Sequence, residues 1–351
     1  MLTEKEKQRY LRHILLKEIG EAGQLKLKQA KVLVIGAGGL GCPVLQYLAA
    51  AGVGKIGIID NDLVDPTNLQ RQILFSEKNV GEPKVIAAKN RLQEMSSSIE
   101  IVAYNDRLSA VNALDLFAAY DIIVEGSDNF TTKYLANDAA VLAGKPLVFG
   151  SIFKFDGQIS VFNYKEGPTY RCLFPEPGVA EEMPSCSEVG VLGILPGIIG
   201  NLQANEVLKI ILGIGNVLSG KILLFDALEM QTRILPFAKN HDVAVSKLEE
   251  INFSCKTTSV DSLSYREYVK SPESFTLLDV RNPEERAISD IGGLHIPLSE
   301  LQERYSELAS ENNILVYCAS GIRSVKAISI LQEYFPAKRF FNFGGGIKKL
   351  Q

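Results

Sequence analysis

The sequence predicts an α/β protein in two parts: a large, mainly parallel sheet with an antiparallel extension, followed by a smaller α/β domain. Three observations carry this. Apolar strand-like runs alternate with helical patterns from residue 31 to about residue 150, as βαβ units around a parallel sheet require. From "GQISVFNY" onward, "GKILLFDA" and "TRILPFA" continue as strands of an antiparallel appendix. Beyond a polar lapse over residues 239–260, a second and shorter alternation begins.

Length and composition set the frame. At 351 residues the chain exceeds the usual size of one domain, and roughly 150 residues per domain suggests two. It is 46% hydrophobic and 22% charged with a formal net charge of -4, which argues against nucleic-acid binding, since that asks for a basic excess. The opening "MLTEKEKQRYLRH" is charged and lacks the apolar core of a signal peptide, so a cytoplasmic protein is expected, its five cysteines reduced rather than cross-linked. The most apolar stretch, "VGVLGILPGIIGNLQANEVLKIILGIG", is interrupted by Pro196, Asn201, Gln203, Asn205, Glu206 and Lys209. It reads as a buried core helix, and no membrane association is expected.

In chain order, residues 3–30 read as a charged helix. "KVLVIGAG" is the first strand, and Gly36, Gly38, Gly39 and Gly41 form the loop "GAGGLG", a G-x-G-x-x-G pattern between strand and helix. Asp60 ends the next strand, "KIGIIDND", where a ribose-binding carboxylate belongs in a Rossmann-like fold. Physically such a loop offers backbone N–H groups and a helix N-terminus to an anion. The helix "KVIAAKNRLQEM" and the strands "IEIVAYND", "DIIVEGSD" and "KPLVFGS" complete the parallel part.

The residues after Asp60 narrow the choice of anion. "DNDLVDPTNLQRQILFSEKNVGEPK" brings Asp62, Asn68, Arg71, Gln72 and Lys84 close behind the glycine loop, and two cations beside a helix N-terminus suit a triphosphate better than a hydride carrier. Asp128, in "EGSDNF" after a later strand, lies where strand ends of an open parallel sheet face the ligand crevice, and its carboxylate suits Mg²⁺ between phosphates. An NAD-binding oxidoreductase is the competing reading.

Together with these residues, "RYLRHILL", "GAGGLG", "TNLQRQ", "VGEPK", "SDN", "PSCSEVGVLGILPGIIGNLQANEVLK" and "FDAL" resemble the bacterial adenylating enzymes MoeB and ThiF, relatives of the ubiquitin-activating enzymes, over residues 3–238. The resemblance implies the ubiquitin-activating type of adenylation fold. It also implies an activity: with ATP and Mg²⁺, the C-terminal glycine carboxylate of a Gly-Gly-ended, ubiquitin-like sulfur-carrier protein (MoaD- or ThiS-like) becomes an acyl-adenylate. Asp60 is then expected on the ribose, Arg71 and Lys84 on the phosphates, Asp128 on the magnesium, and Asn68 and Gln72 in the same pocket. Arg12 matches an arginine that reaches into the partner subunit's active site, implying a homodimer. A scaffold that docks carriers without adenylating them is the non-enzymatic alternative. The pathway served is expected to be molybdopterin biosynthesis, with thiamine or another thiocarboxylate product as alternatives.

The second alternation comprises "FTLLDVR", "NILVYCAS", "SVKAISILQEYF" and "RFFNFGGG". Cys318 opens C-x-x-G-x-R, one residue shorter than the C-x-x-x-x-x-R loop of cysteine phosphatases; the loop N–H groups, the following helix N-terminus and Arg323 are expected to favour an anionic sulfur. Residues 257–351 resemble a rhodanese domain, whose loop cysteine carries a persulfide, with Asp279 and Arg281 of "DVR" as scaffolding. Asp290 stands where that family usually has histidine. The expected division is an adenylation domain over 1–245, a linker over 246–256 and a rhodanese-like domain over 257–351. Sulfur is expected to pass from a persulfide donor through Cys318 to the activated carrier. Cys186 is placed by the resemblance in a mobile crossover loop, where it either releases the thiocarboxylate, leaving a disulfide, or forms a thioester.

One departure concerns zinc, which these adenylating enzymes commonly hold with two C-x-x-C pairs. Here the positions read Thr169-Tyr170-Arg171-Cys172 and Val243-Ala244-Val245-Ser246, so only Cys172 remains. Zinc is expected to be absent.

Overall fold

The run KVLVI forms strand β1 (Lys31–Ile35), and its period-2 pattern feeds two cores at once. Val32 and Val34 join one buried cluster with Leu45, Leu48, Val85 and Leu92, while Leu33 and Ile35 join another with Phe117, Tyr134 and Ala139. A strand buried on both faces belongs to a sheet covered by helices on both sides. The computed structural model describes residues 1–175, 190–248, 261–319 and 321–347. The chain divides into two units, Met1–Phe253 and Ser254–Gln351, each taken by itself below.

In the first unit β1 is flanked by β2 (Lys55–Ile59) and β4 (Ile122–Glu125), with β3 (Glu100–Tyr104) beyond β2 and β5 (Leu147–Phe153) beyond β4, all paired in parallel. Then β6 (Asp156–Phe162), β7 (Lys221–Asp226) and β8 (Gln231–Pro236) add in antiparallel order, giving an eight-stranded sheet β3-β2-β1-β4-β5-β6-β7-β8. The chain steps outward from β1 to β3 and then returns to β4 on the other side. The crevice at that reversal, between the carboxyl ends of β1 and β4, is where such sheets bind ligands.

The helix read from "KVIAAKNRLQEM" spans Lys84–Met95, and the apolar run gives Leu195–Leu212 with Pro196 in its first turn, where a missing N–H costs nothing. The amino-terminal segment differs from the single helix expected over residues 3–30. It forms Glu4–Arg9, Leu11–Ile14 and Gly20–Gln29, the first closed by a Thr3–Glu6 capping box. The breaks have causes: Tyr10 leaves helical geometry so that its ring can be buried against Gly52, and Gly20 takes φ +59°. No described helix is long and apolar enough to cross a membrane.

The second unit is a five-stranded parallel sheet, β11-β10-β12-β13-β9, built from β9 (Asp261–Leu263), β10 (Thr276–Asp279), β11 (Leu294–His295), β12 (Asn313–Tyr317) and β13 (Arg339–Phe343). Leu278, Val316, Ala327, Ile328 and Leu331 are fully buried in its core. Cys318 follows β12 directly, at a strand's carboxyl end, and the helix Ile322–Tyr334 starts four residues later.

Candidate functional site

Behind β1 the chain must turn at once into the helix Gly41–Ala51, and glycine makes this possible. Gly36 takes φ +89°, and a Cβ on Gly41 would lie 1.9 Å from the Gly36 carbonyl oxygen. The loop therefore opens into a cavity of about 730 Å³ lined by Gly36, Gly38, Gly39, Asp60, Asp62, Asn68, Arg71, Gln72, Lys84 and Asp128. Ten of the residues singled out in the sequence thus come together. Gly41, expected on the ligand, is not among the lining residues; it lets the helix approach the strand turn.

Asp60 sits at the end of β2 with both oxygens engaged. The Ala37 N–H donates to one and the Asp62 N–H to the other, each at 2.8 Å. Burial pushes its pKa above the ordinary carboxylate value, against the pull of Lys84 and those two N–H groups. Each oxygen keeps a lone pair for a hydroxyl donor. Lys84, at the start of its helix, is buried, and its Nζ lies 2.7 Å from Asp62 Oδ2. Arg71 donates to the Thr67 carbonyl at 3.0 Å and to Asn68 Oδ1 at 3.3 Å, while Gln72 Nε2 donates to the same Asn68 oxygen at 2.8 Å. The buried Gln72 Oε1 has no hydrogen-bond partner. A pocket wall with two cations, an orphaned acceptor and a helix N-terminus is chemically suited to a phosphorylated ligand carrying hydroxyl groups.

Asp128 stands exposed on the loop between β4 and the helix Phe130–Leu142 and takes no hydrogen bond from a described residue. Its oxygens are free for a cation. Arg12 is exposed on the helix Leu11–Ile14 and does not line this cavity. Cys186 lies outside the described residues.

Sequence reasoning missed two residues beneath Asp128. Glu125, fully buried at the end of β4, is paired with buried Lys133 at 3.0 Å. The Glu was visible in "EGSDNF" as an acid inside an apolar strand, but its partner lies eight residues on. Asp106 and Arg107, on the loop after β3, also line the cavity and were not singled out.

In the second unit Cys318 is fully buried. The Gly321 N–H donates to its sulfur at 3.1 Å, and Ser324 Oγ lies 3.6 Å away. Gly321 takes φ +92°, packed against the backbone of Gly345 and Gly346. Arg323, expected as the cation of this loop, donates from both terminal nitrogens to Glu285 at 2.7 and 2.6 Å. Its charge is thus balanced by a carboxylate that sequence reasoning had not identified. Asp279 and Arg281 form a buried bidentate pair, and Arg281 also donates to the carbonyls of Ser289 and Glu285, tying β10 to the helix Pro283–Ile288 that carries Glu285. Asp290 accepts from the Gly292 N–H at 2.7 Å and pairs with Arg286, a turn-forming role.

At the positions of the two expected zinc pairs, Cys172 is the one thiol. Cys172 accepts hydrogen bonds from the N–H groups of Thr169 and Asn240, both at 3.3 Å, and lies 3.4 Å from Thr169 Oγ1. Burial raises its pKa, but these donors and the Lys239 charge outweigh it, and the net shift is downward. The described residues contain no cluster of three His, Cys, Asp or Glu able to hold a metal. The donor set does not fit zinc.

Comparison with known proteins adds the following. Residues 10–251 match the model of the ThiF family, and residues 264–351 match that of the rhodanese-like domain. A sulfur carrier protein adenylyltransferase of Thermus thermophilus is 51% identical over 243 residues, 68% of this chain and 90% of that protein. The adenylyltransferase and sulfurtransferase MOCS3 of Sus scrofa is 40% identical over 373 residues, covering 95% of this chain and 82% of that protein. Among solved structures, Escherichia coli MccB with ATP is similar with a TM-score of 0.60 and 25% identity, over 69% of this chain and 75% of that one.

Proposed function

The chain belongs to the ThiF family and continues into a rhodanese-like domain, and from that premise we propose that it adenylates a ubiquitin-like sulfur-carrier protein ending in Gly-Gly and then delivers sulfur to it. The observation that carries this is the convergence of the glycine loop, Asp60, Arg71, Lys84 and Asp128 on one cavity at the reversal point of the sheet. The boundaries read from the sequence, 1–245, 246–256 and 257–351, are kept as the domain proposal.

In this reading Asp60 accepts from the ribose hydroxyls of ATP. Arg71 and Lys84 balance the phosphates, and the glycine-loop N–H groups donate to their oxygens. Asp128 holds Mg²⁺, which when bound withdraws charge from the triphosphate oxygens. The carrier's carboxylate, already ionised, attacks the α-phosphorus; the bond from that phosphorus to the β-phosphate oxygen breaks, and pyrophosphate leaves. No general base is required. Electrostatic stabilisation by fixed cations is the main contribution of the site.

The acyl-adenylate then needs a sulfur nucleophile. The outer sulfur of a Cys318 persulfide, loaded by a persulfide donor, attacks the acyl carbon and AMP leaves, giving an acyl disulfide. A second thiolate, assigned to Cys186, then attacks the Cys318 sulfur: the S–S bond breaks, the carrier leaves as its thiocarboxylate, and a disulfide remains for an external thiol to reduce. Carrying both chemistries on one chain raises the effective concentration of that sulfur. Arg12, absent from its own cavity, is assigned to the site of a second copy, so that the protein works as a homodimer. Zinc has no part in this account, the cytoplasm is its proposed compartment, and molybdopterin biosynthesis is the proposed destination of the sulfur. The test is to incubate the protein with a Gly-Gly-ended carrier, ATP, Mg²⁺ and a persulfide donor and to weigh the carrier. An adenylate without the donor and a thiocarboxylate with it support the reading; an unchanged carrier refutes it.

A further inference from the structure

We propose that the buried Glu125–Lys133 pair is the positioning device that presents Asp128 to the metal, an inference that rests on Asp128 as the Mg²⁺ residue. Both side chains are withdrawn from water, at 0% and 4% exposure. Burying two charges costs several kcal/mol per ion, and such pairs are often replaceable by apolar residues without loss of stability. Stability is therefore a poor reason for the pair. Its other bonds supply a better one.

Among the described residues, every further hydrogen bond of the pair's charged groups is to the loop that carries Asp128. Glu125 Oε1 accepts from the Ser127 N–H at 2.7 Å and from the Ser127 hydroxyl. Lys133 Nζ, besides its 3.0 Å contact to Glu125 Oε2, donates to the Ser127 carbonyl at 2.5 Å. Ser127 is thus held at its N–H, its carbonyl and its hydroxyl. On the other side, Asn129 caps the following helix by accepting from the Thr132 N–H at 2.8 Å. Asp128 lies between two fixed neighbours while its own carboxylate takes no bond from a described residue. The clamp itself is rigidly mounted. Gln203 donates to the Glu125 carbonyl at 2.7 Å, and Lys133 lies 5.5 Å from the Phe149 ring centroid. Because the pair is neutral as a unit, it fixes the loop without cancelling the charge that Asp128 offers a cation.

The test measures metal binding rather than turnover. Mn²⁺, read by its electron paramagnetic resonance signal, is titrated into the full-length protein with a non-hydrolysable ATP analogue, and metal-free analogue binding is measured in parallel. Asp128→Asn tests the underlying reading. Lys133→Met, Ser127→Ala and the doubly apolar Glu125→Leu/Lys133→Met test the clamp. The expected result is Mn²⁺ affinity weakened about tenfold or more in Asp128→Asn, Lys133→Met and the double variant, the scale on which residues supporting a metal ligand act. Ser127→Ala, which removes only the hydroxyl's bonds to Glu125 and to the Asn129 carbonyl and leaves the backbone bonds in place, is expected to lose less, and metal-free analogue binding to change less than about twofold in all four. If Lys133→Met fails to fold, the double variant and Ser127→Ala carry the test. Unchanged Mn²⁺ affinity in Asp128→Asn overturns the reading and the clamp with it. Loss in Asp128→Asn with unchanged affinity in the folded clamp variants overturns the clamp alone. So does restoration of affinity by the double variant, because that would make the effect one of charge, not of loop position.

Discussion

Lys84 Nζ lies 2.7 Å from Asp62 Oδ2, the lysine side chain only 6% exposed and the aspartate 63%. The buried ammonium needs an anion at all times, and Asp62 provides it from the solvent side of the cavity. A triphosphate entering the cavity meets a cation already oriented. Lys84→Met is expected to slow adenylate formation by about 10²–10³-fold, the scale for removing one preorganised charge. Asp62→Asn, which keeps a hydrogen-bond acceptor for Lys84, is expected to cost far less. Rapid-quench measurement of the carrier adenylate checks both, and equal losses would show that the ion pair, not the lysine, is what matters.

Cys318→Ala separates the two chemistries. Adenylation is expected at its full rate, because the described residues that line the cavity all belong to the first unit. Sulfur transfer from a persulfide donor is expected to stop. Assaying both steps on one preparation decides the matter, and loss of both steps in a folded variant would refute the division of labour.

The Glu285–Arg323 pair gives a pH dependence in the second unit. Arg323 holds the Glu285 carboxyl below its ordinary value of 4.5, and partial burial opposes this only in part. A depressed carboxylate contributes stability that is fully present above its unfolded pKa and is lost as pH falls through the lower folded value. With Glu285 about a third exposed, solvent screening limits the contribution to about 1 kcal/mol. Amide exchange over residues 283–288 is therefore expected to be faster in Glu285→Gln than in the parent at neutral pH. The two should converge well below the ordinary carboxylate range, whereas a difference that persists there would assign the effect to packing.

Much of the parallel sheet was legible because its strands are long apolar runs with a turn signal after each, and "KVIAAKNRLQEM" carries a helical period from its first residue to its last. The glycine loop, Asp60 and Asp128 were legible because motif spacing places them just after strands, and Asn68, Arg71, Gln72 and Lys84 because they follow Asp60 within one short stretch. What escaped was set by tertiary contact. Tyr10 breaks the amino-terminal helix to reach Gly52, which no local propensity encodes. Gly41 reads as a ligand glycine from its motif, yet its packing against Gly36 is what forbids a side chain. Glu125 and Lys133 meet across a strand–loop–helix turn, and Glu285 meets Arg323 across 38 residues.

The zinc positions lead to a plain expectation. Cys172 is engaged by Thr169 and Asn240, and the strong binding of a thiolate-rich zinc site, about 10–16 kcal/mol, requires ligands that this chain does not place there. Purified protein is expected to contain no stoichiometric zinc by elemental analysis and to keep its fold in a strong chelator. One zinc per chain, lost only with unfolding, would refute this and direct attention to Cys172 and to His241, which stands two residues before Val243.

The central claim is that the cavity joins ATP to a carrier's terminal carboxylate, and isotope exchange between pyrophosphate and ATP tests it most directly. The account predicts exchange only when Mg²⁺ and a Gly-Gly-ended carrier with a free carboxyl terminus are both present, and none with the same carrier amidated at its last residue. Exchange that ignores the carrier's terminus, or its complete absence with every Gly-Gly-ended carrier tried, would contradict the account.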